Sequence, residues 1–213
     1  MPNKNGNAYG LTVLCPLKND SEDDQSYAAI VRRKLRELPL DEESPLAAVP
    51  ETYLCRMFVL DDVFYEGDPA GEDHLKSKYL VLVVELHGER DAWLRAMWTH
   101  AQDCIQKLWK YCIAFQDVRS ADDWVAYIGR CQVDTTFYFM GSTDEPLAEQ
   151  LKALYLKQEL AHFALEHQGV KDPAALQRSF QDFLARVQPD NLSGPTWRAG
   201  ASSLETAVVG GRT

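Results

Sequence analysis

The chain has 213 residues, of which 46% are hydrophobic and 25% are charged, and its formal net charge at pH 7 is −10. These values are typical of one or two small folded domains and exclude an intrinsically disordered protein. The sequence contains no apolar run of about 18 residues, which excludes a membrane-spanning helix. Its N-terminus lacks the apolar core of a secretory signal. The acidic balance argues against duplex nucleic acid as the main partner.

The cysteines indicate the compartment. There are five of them, and no two form a Cys-x-x-Cys pair, so the sequence gives no support to a zinc site or a redox pair. Cys15 and Cys55 fall in apolar strand-like runs, and Cys104 falls on the apolar face of a helix-like segment. We therefore expect reduced, buried thiols in a cytoplasmic protein, and no metal site.

The first half of the chain predicts a strand, a helix and two further strands. Residues 10–17 predict the first strand, and the acidic run at 19–24 predicts the start of a helix that ends at Pro39. Residues 52–64 and 78–87 are rich in β-forming residues and are separated by a polar loop. We expect these two runs to form an antiparallel pair with a long connection.

The second half of the chain is mainly helical. Apolar residues at helical spacing predict a long helix over 94–112, and a serine N-cap signal predicts a shorter helix over 120–131. Residues 134–140 predict the last strand. Helices are then expected over 146–167 and 172–187. The first of these two is apolar on opposite sides, which predicts that it lies between two surfaces.

The domain organisation follows from these elements. We expect a flexible N-terminus over 1–9 and a single α+β domain over 10–188. The last segment, 189–213, is rich in Gly, Pro, Ser and Thr, which predicts a flexible tail.

The order of strand, helix, two strands, helix and strand over about residues 10–140 predicts a ferredoxin-like βαββαβ sandwich with additional C-terminal helices. Through the runs at 52–60 and 79–84, the chain resembles the dimeric α/β-barrel superfamily. That resemblance implies a homodimer, with helices on one sheet face and a ligand cavity or a partner sheet on the other. It also implies several functions: heme enzymes similar to dye-decolorising peroxidases and chlorite dismutases, cofactor-free monooxygenases, polyketide cyclases, or non-catalytic ligand binders.

Heme would need an axial ligand, for which His162 is the candidate, with His87, His100 and His167 as alternatives. Residues 141–145 resemble in four positions the Gly-x-x-Asp-Gly motif that carries a distal aspartate in peroxidases of this superfamily. The last position of this stretch is a glutamate instead of the second glycine. The other interpretation of this stretch is a helix N-cap.

Polar residues that interrupt the apolar strands mark a candidate site. Glu85 and His87 lie on one face of their predicted strand, and the expected register places Arg56 beside 85–87. Tyr138 and Thr12 are expected to join them from neighbouring strands. We predict Glu85 and His87 as an acid–base pair, with the other three residues binding an anionic substrate. The alternative is a structural Arg–Glu ion pair with a hydrogen-bonded histidine.

The sequence thus predicts a small-molecule enzyme of the biosynthetic oxidoreductase or cyclase type, where an oxidoreductase would be monooxygenase-like or heme peroxidase-like. The alternative is a non-catalytic module that binds a ligand or a partner protein. An acidic loop is a further candidate, since its carboxylates suit a divalent cation, although a solvated loop is the other interpretation. Its acidic residues and histidine are Asp61, Asp62, Glu66, Asp68, Glu72, Asp73 and His74.

Overall fold

The structure is a computed structural model. It describes residues 3–63, 74–141 and 144–201. The chain divides into two compact units, Met1–Asp144 and Glu145–Thr213. Whether they form the single domain predicted over 10–188 stays a prediction.

The first unit contains a five-stranded antiparallel sheet. The strands are β1 (Lys4–Asn5), β2 (Ala8–Pro16), β3 (Ser21–Glu22), β4 (Gln25–Ser26), β5 (Thr52–Leu60), β6 (Tyr79–His87) and β7 (Gln132–Val133). In the five-stranded sheet, β2 pairs with β6, and β6 pairs with β5, while β1 and β7 both pair with β2. A separate two-stranded sheet joins β3 and β4.

Four α-helices of the first unit supply the core that covers one sheet face. They are α1 (Tyr27–Arg36), α2 (Arg90–His100), α3 (Gln102–Trp109) and α4 (Ala121–Cys131), with a short 3₁₀ turn at Phe115–Asp117. The chain is therefore a mixed α+β protein. None of the helices in the described ranges combines the length and apolar character that a membrane span requires.

Alternation along the strands decides which face meets the helices. Leu11, Val13 and Cys15 of β2 are fully buried, as are Leu82 and Val84 of β6. All five belong to one core cluster with the helices. Side chains at the intervening positions lie on the opposite face, because successive residues of a strand point to opposite sides. We call this opposite side the open face.

The predicted helix start at 19–24 is wrong. Asp23 and Asp24 adopt left-handed backbone angles, with φ of 50° and 60°, and form the turn between β3 and β4. Aspartate tolerates this conformation better than most residues, and such turns favour hairpins. The N-cap of α1 is Ser26, whose hydroxyl accepts a hydrogen bond from the backbone N–H of Ala29 at 3.3 Å.

The predicted long helix over 94–112 is two helices. The chain bends at Ala101, where φ is −126° and ψ is 27°, although the predicted apolar stripe is buried throughout. Helix α3 ends at Trp109 because the following residues pair with the end of β2. Cys112 forms a bridge with Leu17, and the backbone N–H of Ile113 donates to the carbonyl of Pro16.

The prediction of a last strand over 134–140 is also wrong, since β7 covers only Gln132–Val133. In the antiparallel register β7 would continue along β2 towards Tyr9, but Lys4 of β1 already pairs with Tyr9. The Asn3 carbonyl also accepts from the Gly10 N–H at 2.9 Å. The N-terminal hairpin therefore fills this edge, and the chain leaves the sheet at 134. We call residues 134–141 the crossing segment.

The segment predicted as a flexible N-terminus, 1–9, contains β1 and the start of β2. Its Asn3 residue is only 4% exposed. Residues 189–201 contain no helix or strand, and the rest of the predicted tail lies outside the described residues. Flexibility at either end stays a prediction.

In its described residues, which end at 201, the second unit contains α5 (Leu147–Glu166) and α6 (Pro173–Val187), which agrees with the predicted helices. Phe163 of α5 packs against Phe183 of α6, with ring centroids 5.0 Å apart. The ammonium group of Lys152, which is 2% exposed, donates to the carbonyls of Val187 at 2.8 Å and Pro195 at 2.7 Å. One apolar side of α5 thus meets α6. What its other side contacts stays a prediction.

Candidate functional site

A cavity of about 550 Å³ lies on the open face of the first unit. Its walls come from the ends of β5 and β6 and from the crossing segment. Predicted site residues contribute Glu85, His87 and Tyr138, and the other walls are mainly apolar. The additional aromatic residues in the lining are Tyr53, Phe137 and Phe139.

Glu85 lies at the centre of this arrangement. It pairs with Gly10 of β2 on one side and with Leu54 of β5 on the other. Its Oε2 atom is buried and has no hydrogen-bond partner among the described residues. A buried carboxylate oxygen without a donor is costly, and such atoms are rare in folded proteins. This oxygen is therefore the strongest chemical signal in the cavity.

The ring of Tyr138 lies on the strand beside Glu85. A Cβ atom on Gly10 would come within 2.8 Å of Cε2 of Tyr138 and 3.5 Å of Oε2 of Glu85. Only glycine leaves room for this close approach. Burial raises the pKa of Tyr138, and the neighbouring Glu85 carboxylate raises it further. Tyr138 therefore stays protonated at neutral pH and keeps a hydroxyl that can donate.

His87 forms a hydrogen bond with Asp144, a residue that follows the crossing segment. Its Nε2 atom lies 2.7 Å from the carbonyl oxygen of Asp144, so this nitrogen carries the proton and donates. Its Nδ1 atom lies 4.0 Å from Oε2 of Glu51, and its side chain is only 9% exposed. The ring of Tyr53 is 6.1 Å away, between ring centroids. These contacts fix the imidazole in place.

Two anchors hold the crossing segment over the sheet. At its start, the Asn3 side chain donates to the hydroxyl of Thr135 at 3.1 Å and accepts from the backbone N–H of the same residue at 3.3 Å. Beyond its end, the Asp144 carboxylate accepts from the backbone N–H of Asn7 at 2.7 Å and from its side-chain amide at 3.2 Å. Both anchors belong to the N-terminal hairpin, which therefore positions the cavity wall that contains Tyr138.

Arg56 and Thr12 do not line the cavity. The expected register is wrong, because Arg56 pairs with Val83 and not with a residue in the range 85–87. The hairpin pairs Leu60 with Tyr79, which shifts the ladder from the predicted alignment. Thr12 pairs with Val83 from the other side, so these residues form the next row of the open face. Arg56 is exposed there.

The residues do not fit a heme in this cavity. Among the described lining residues the histidine is His87, whose Nε2 lies 2.7 Å from the carbonyl oxygen of Asp144 and whose Nδ1 lies 4.0 Å from Oε2 of Glu51. Both ring nitrogens therefore face protein oxygens, whereas a heme ligand needs a ring nitrogen directed at the iron. His162 lies in the second unit, where its side chain is 54% exposed and its Nδ1 atom is 3.9 Å from Oε1 of Glu159. The N-cap interpretation of Asp144 is wrong, since the N-cap of α5 is Pro146.

The acidic loop is only partly described, and Glu66, Asp68, Glu72 and Asp73 lie outside the described residues. Asp61 forms ion pairs with Arg32 and Lys78. Backbone and side-chain hydrogen bonds from Leu75, His74 and Val63 lower the pKa of Asp62 to about 2. The described carboxylates therefore already have partners of their own. In the described ranges, no group of three or more His, Cys, Asp or Glu residues could hold a metal ion.

The cysteines do not contribute to the cavity lining. All five are free, and Cys15, Cys104 and Cys112 are buried. Burial raises the pKa of Cys104 to about 11 and that of Cys55 to about 12. A thiol that reacts as a nucleophile needs a lowered pKa, so these two are structural.

The sequence also contains residues of this site that pattern reasoning misses. Gly10 is the clearest, because a lone glycine inside an apolar strand signals the close approach of another group. Asn3, Asn7 and Asp144 give no such signal, since their hydrogen bonds join positions far apart in the chain. Phe137 and Phe139 fit the pattern of a strand, which hides their place in a cavity wall.

Comparison of the chain with protein-family models, with curated proteins and with solved structures found no match. What the cavity does must therefore be inferred from its own geometry.

Proposed function

We propose that the cavity is the active site of a small-molecule enzyme in which Glu85 acts as a general base. The observation that supports this is Glu85, which lines an apolar cavity and whose buried Oε2 atom has no hydrogen-bond partner among the described residues. Such an oxygen can accept a proton from a bound substrate without first losing a protein partner. Apolar pockets with a few convergent polar groups are the usual form of small-molecule sites.

In this mechanism, Glu85 takes a proton from the substrate and Tyr138 donates a hydrogen bond to the oxygen on which negative charge develops. The raised pKa of Tyr138 keeps its hydroxyl protonated for this role. His87 is a positioning residue, because its Nε2–H donates to the chain beyond the crossing segment. A cyclase needs only an electrophilic carbon in the same substrate, whereas an oxidoreductase needs an oxidant in addition.

The ferredoxin-like assignment of the first unit belongs to the same proposal. It is supported by the strand order β7, β2, β6, β5 with antiparallel neighbours, and by helices packed on one face. The short β7 and the additional β1 hairpin depart from the simplest form of this arrangement. A cytoplasmic location is supported by the five free thiols.

The test uses 5-nitrobenzisoxazole, a probe that needs only a base. Removal of its ring C–H proton by a carboxylate breaks the ring N–O bond and releases a coloured cyanophenolate. We expect Glu85→Gln to lower kcat/KM for this probe by about 10²-fold or more. The matched control is Glu37→Gln on α1, where the side chain is 60% exposed and pairs with Arg33.

The control variant should turn the probe over at the wild-type rate. Circular dichroism checks that Glu85→Gln is folded, which we expect because the change is isosteric. A folded Glu85→Gln protein with undiminished turnover would show that Glu85 is not the base.

A second candidate function is a module that binds a ligand or a partner without catalysis, in keeping with the proposed homodimer. Exposed aromatic residues favour it, since Phe137 is 80% exposed and Phe139 is 71% exposed. Apolar patches of this kind often mark interaction sites. Sedimentation equilibrium of the wild type and of Phe137→Ser tests it, because a homodimer through this patch should dissociate in the variant.

A further inference from the structure

The charges around the cavity are one-sided. Among its described lining residues there is no lysine or arginine, and Glu85 provides a carboxylate. Two more carboxylates flank the adjoining imidazole of His87: Oδ1 of Asp144 lies 3.6 Å from Nε2, and Oε2 of Glu51 lies 4.0 Å from Nδ1. Arg56, which the sequence predicts to bind an anion, lies outside the lining. This environment favours a cationic group and disfavours an anionic one.

The aromatic walls of the cavity also favour a cationic group. Tyr53, Phe137, Tyr138 and Phe139 all line the cavity. The face of an aromatic ring carries partial negative charge and attracts cations, while the ring body packs against apolar groups. A ligand with both an apolar body and a cationic end therefore satisfies the walls and the carboxylate together.

From these observations we propose that the cavity accepts a primary amine on a compact apolar body, with the ammonium group bound by the Glu85 carboxylate. This inference rests on the proposed function and names its substrate class. The donor that Oε2 lacks among the described residues is then an ammonium N–H of the ligand. A volume of about 550 Å³ suits a body of one or two rings.

The proton balance is simple. The ammonium group transfers one proton to the carboxylate, which gives a neutral amine and a protonated Glu85. The nitrogen lone pair that this step frees can add to a carbonyl carbon of the same substrate. The C–N bond of the ring forms as the C=O π bond breaks, and the resulting oxyanion takes the proton back from Glu85, which restores the carboxylate.

Three probes of similar size and different charge test the proposal in calorimetric titrations of the full chain: 2-phenylethylamine, 2-phenylethanol and phenylacetate. We expect the amine to bind at least about tenfold more tightly than the alcohol, because a charged hydrogen bond exceeds a neutral one by that much. Phenylacetate should bind more weakly than either. Equal or tighter binding of phenylacetate, or no measurable binding of the amine, would overturn the proposal.

Two variants, each with a control variant, test whether Glu85 binds the ammonium group. Glu85→Gln should remove the preference for the amine over the alcohol, whereas Glu37→Gln should retain it. Leu54→Lys places an ammonium group on the residue that pairs with Glu85, so it should also remove amine binding, and Leu54→Met should not. Amine preference that survives in both Glu85→Gln and Leu54→Lys would place the cation elsewhere and refute the assignment.

The outcomes separate this inference from the function on which it rests. If Glu85→Gln abolishes turnover of 5-nitrobenzisoxazole but the amine is not preferred, Glu85 is the general base and the amine assignment is wrong. If the amine preference depends on Glu85 while turnover does not, Glu85 binds the ligand and is not the base.

Discussion

The two faces of the main sheet are built from the same three long strands but have different roles. On the helix-covered face, alternate residues such as Leu11, Leu82 and Val84 are fully buried. On the open face, the same strands carry Arg56 and Glu85. The covered face stabilises the fold by removing apolar surface from water. Both charged residues lie on the other face, where Arg56 is exposed and Glu85 is half-buried.

The open face itself has two environments. Arg56 is exposed in the row of Val83, whereas Glu85, one row further along, lies under the crossing segment. Both side chains are charged and both interrupt apolar strands, but only one is enclosed with aromatic residues. Enclosure by a distant part of the chain, and not residue type, distinguishes a candidate catalytic group from a solvated one.

The largest expected effect is a difference in the free energy of unfolding between two variants, each of which truncates one leucine on one sheet face. We expect Leu82→Ala to lower the free energy of unfolding by about 3 kcal/mol, because it leaves a cavity in the core. Leu54→Ala should lower it by about 1 kcal/mol or less, since Leu54 is 54% exposed. Urea unfolding followed by tryptophan fluorescence measures both. Similar losses would contradict the assignment of a sealed and an open face.

A methyl group at position 10 should have the next largest effect. We expect Gly10→Ala to lower the free energy of unfolding by about 1–3 kcal/mol, because the new Cβ would overlap the ring of Tyr138. Gly129→Ala is the matched control. It lies in α4, and no atom lies within 4 Å of the place that its methyl group would take, so it should stabilise the helix by up to about 1 kcal/mol.

A double-mutant cycle identifies the cause. In a Tyr138→Ala background, Gly10→Ala should cost at least about 0.5 kcal/mol less than in the wild type, because the overlapping ring is gone. An unchanged cost would mean that the ring does not lie on Gly10.

The smallest expected effect is a change in the pKa of Tyr138. The pKa of Tyr138 is raised in the folded state, so its contribution to stability is fully present below about pH 10 and is lost as the pH rises through the folded pKa. Glu85→Gln removes the neighbouring charge and should bring the pKa of Tyr138 closer to its ordinary value. Carbon-13 NMR of ring-labelled tyrosine, assigned with Tyr138→Phe, measures it. The same pKa in both proteins would show that the two groups do not interact.

Much of the fold was predictable because it depends on local pattern. Helices α4, α5 and α6 follow from apolar periodicity and end signals, and the three long strands follow from runs of β-forming residues. Helix α1 follows from its periodicity, although its predicted start was wrong. The register of β5 was not predictable, because it is set by pairing between segments that are far apart in the sequence. The position at which β7 ends depends on the N-terminal hairpin, because β1 pairs with the part of β2 along which β7 would otherwise continue.

The candidate site shows the same division. Glu85, His87 and Tyr138 could be selected because polar side chains stand out in apolar strands, and the structure places all three in one cavity. Arg56 and Thr12 were selected by the same reasoning but lie one row away.

Composition and apolar alternation are sufficient to predict the class of protein: an acidic α+β chain in which one sheet face must be buried. The cavity on the other face depends on contacts between distant segments. The N-terminal hairpin occupies an edge of β2, and this turns residues 134–141 across Glu85. Competition between two distant segments for the same backbone hydrogen bonds is a property of the folded chain, and local patterns do not record it.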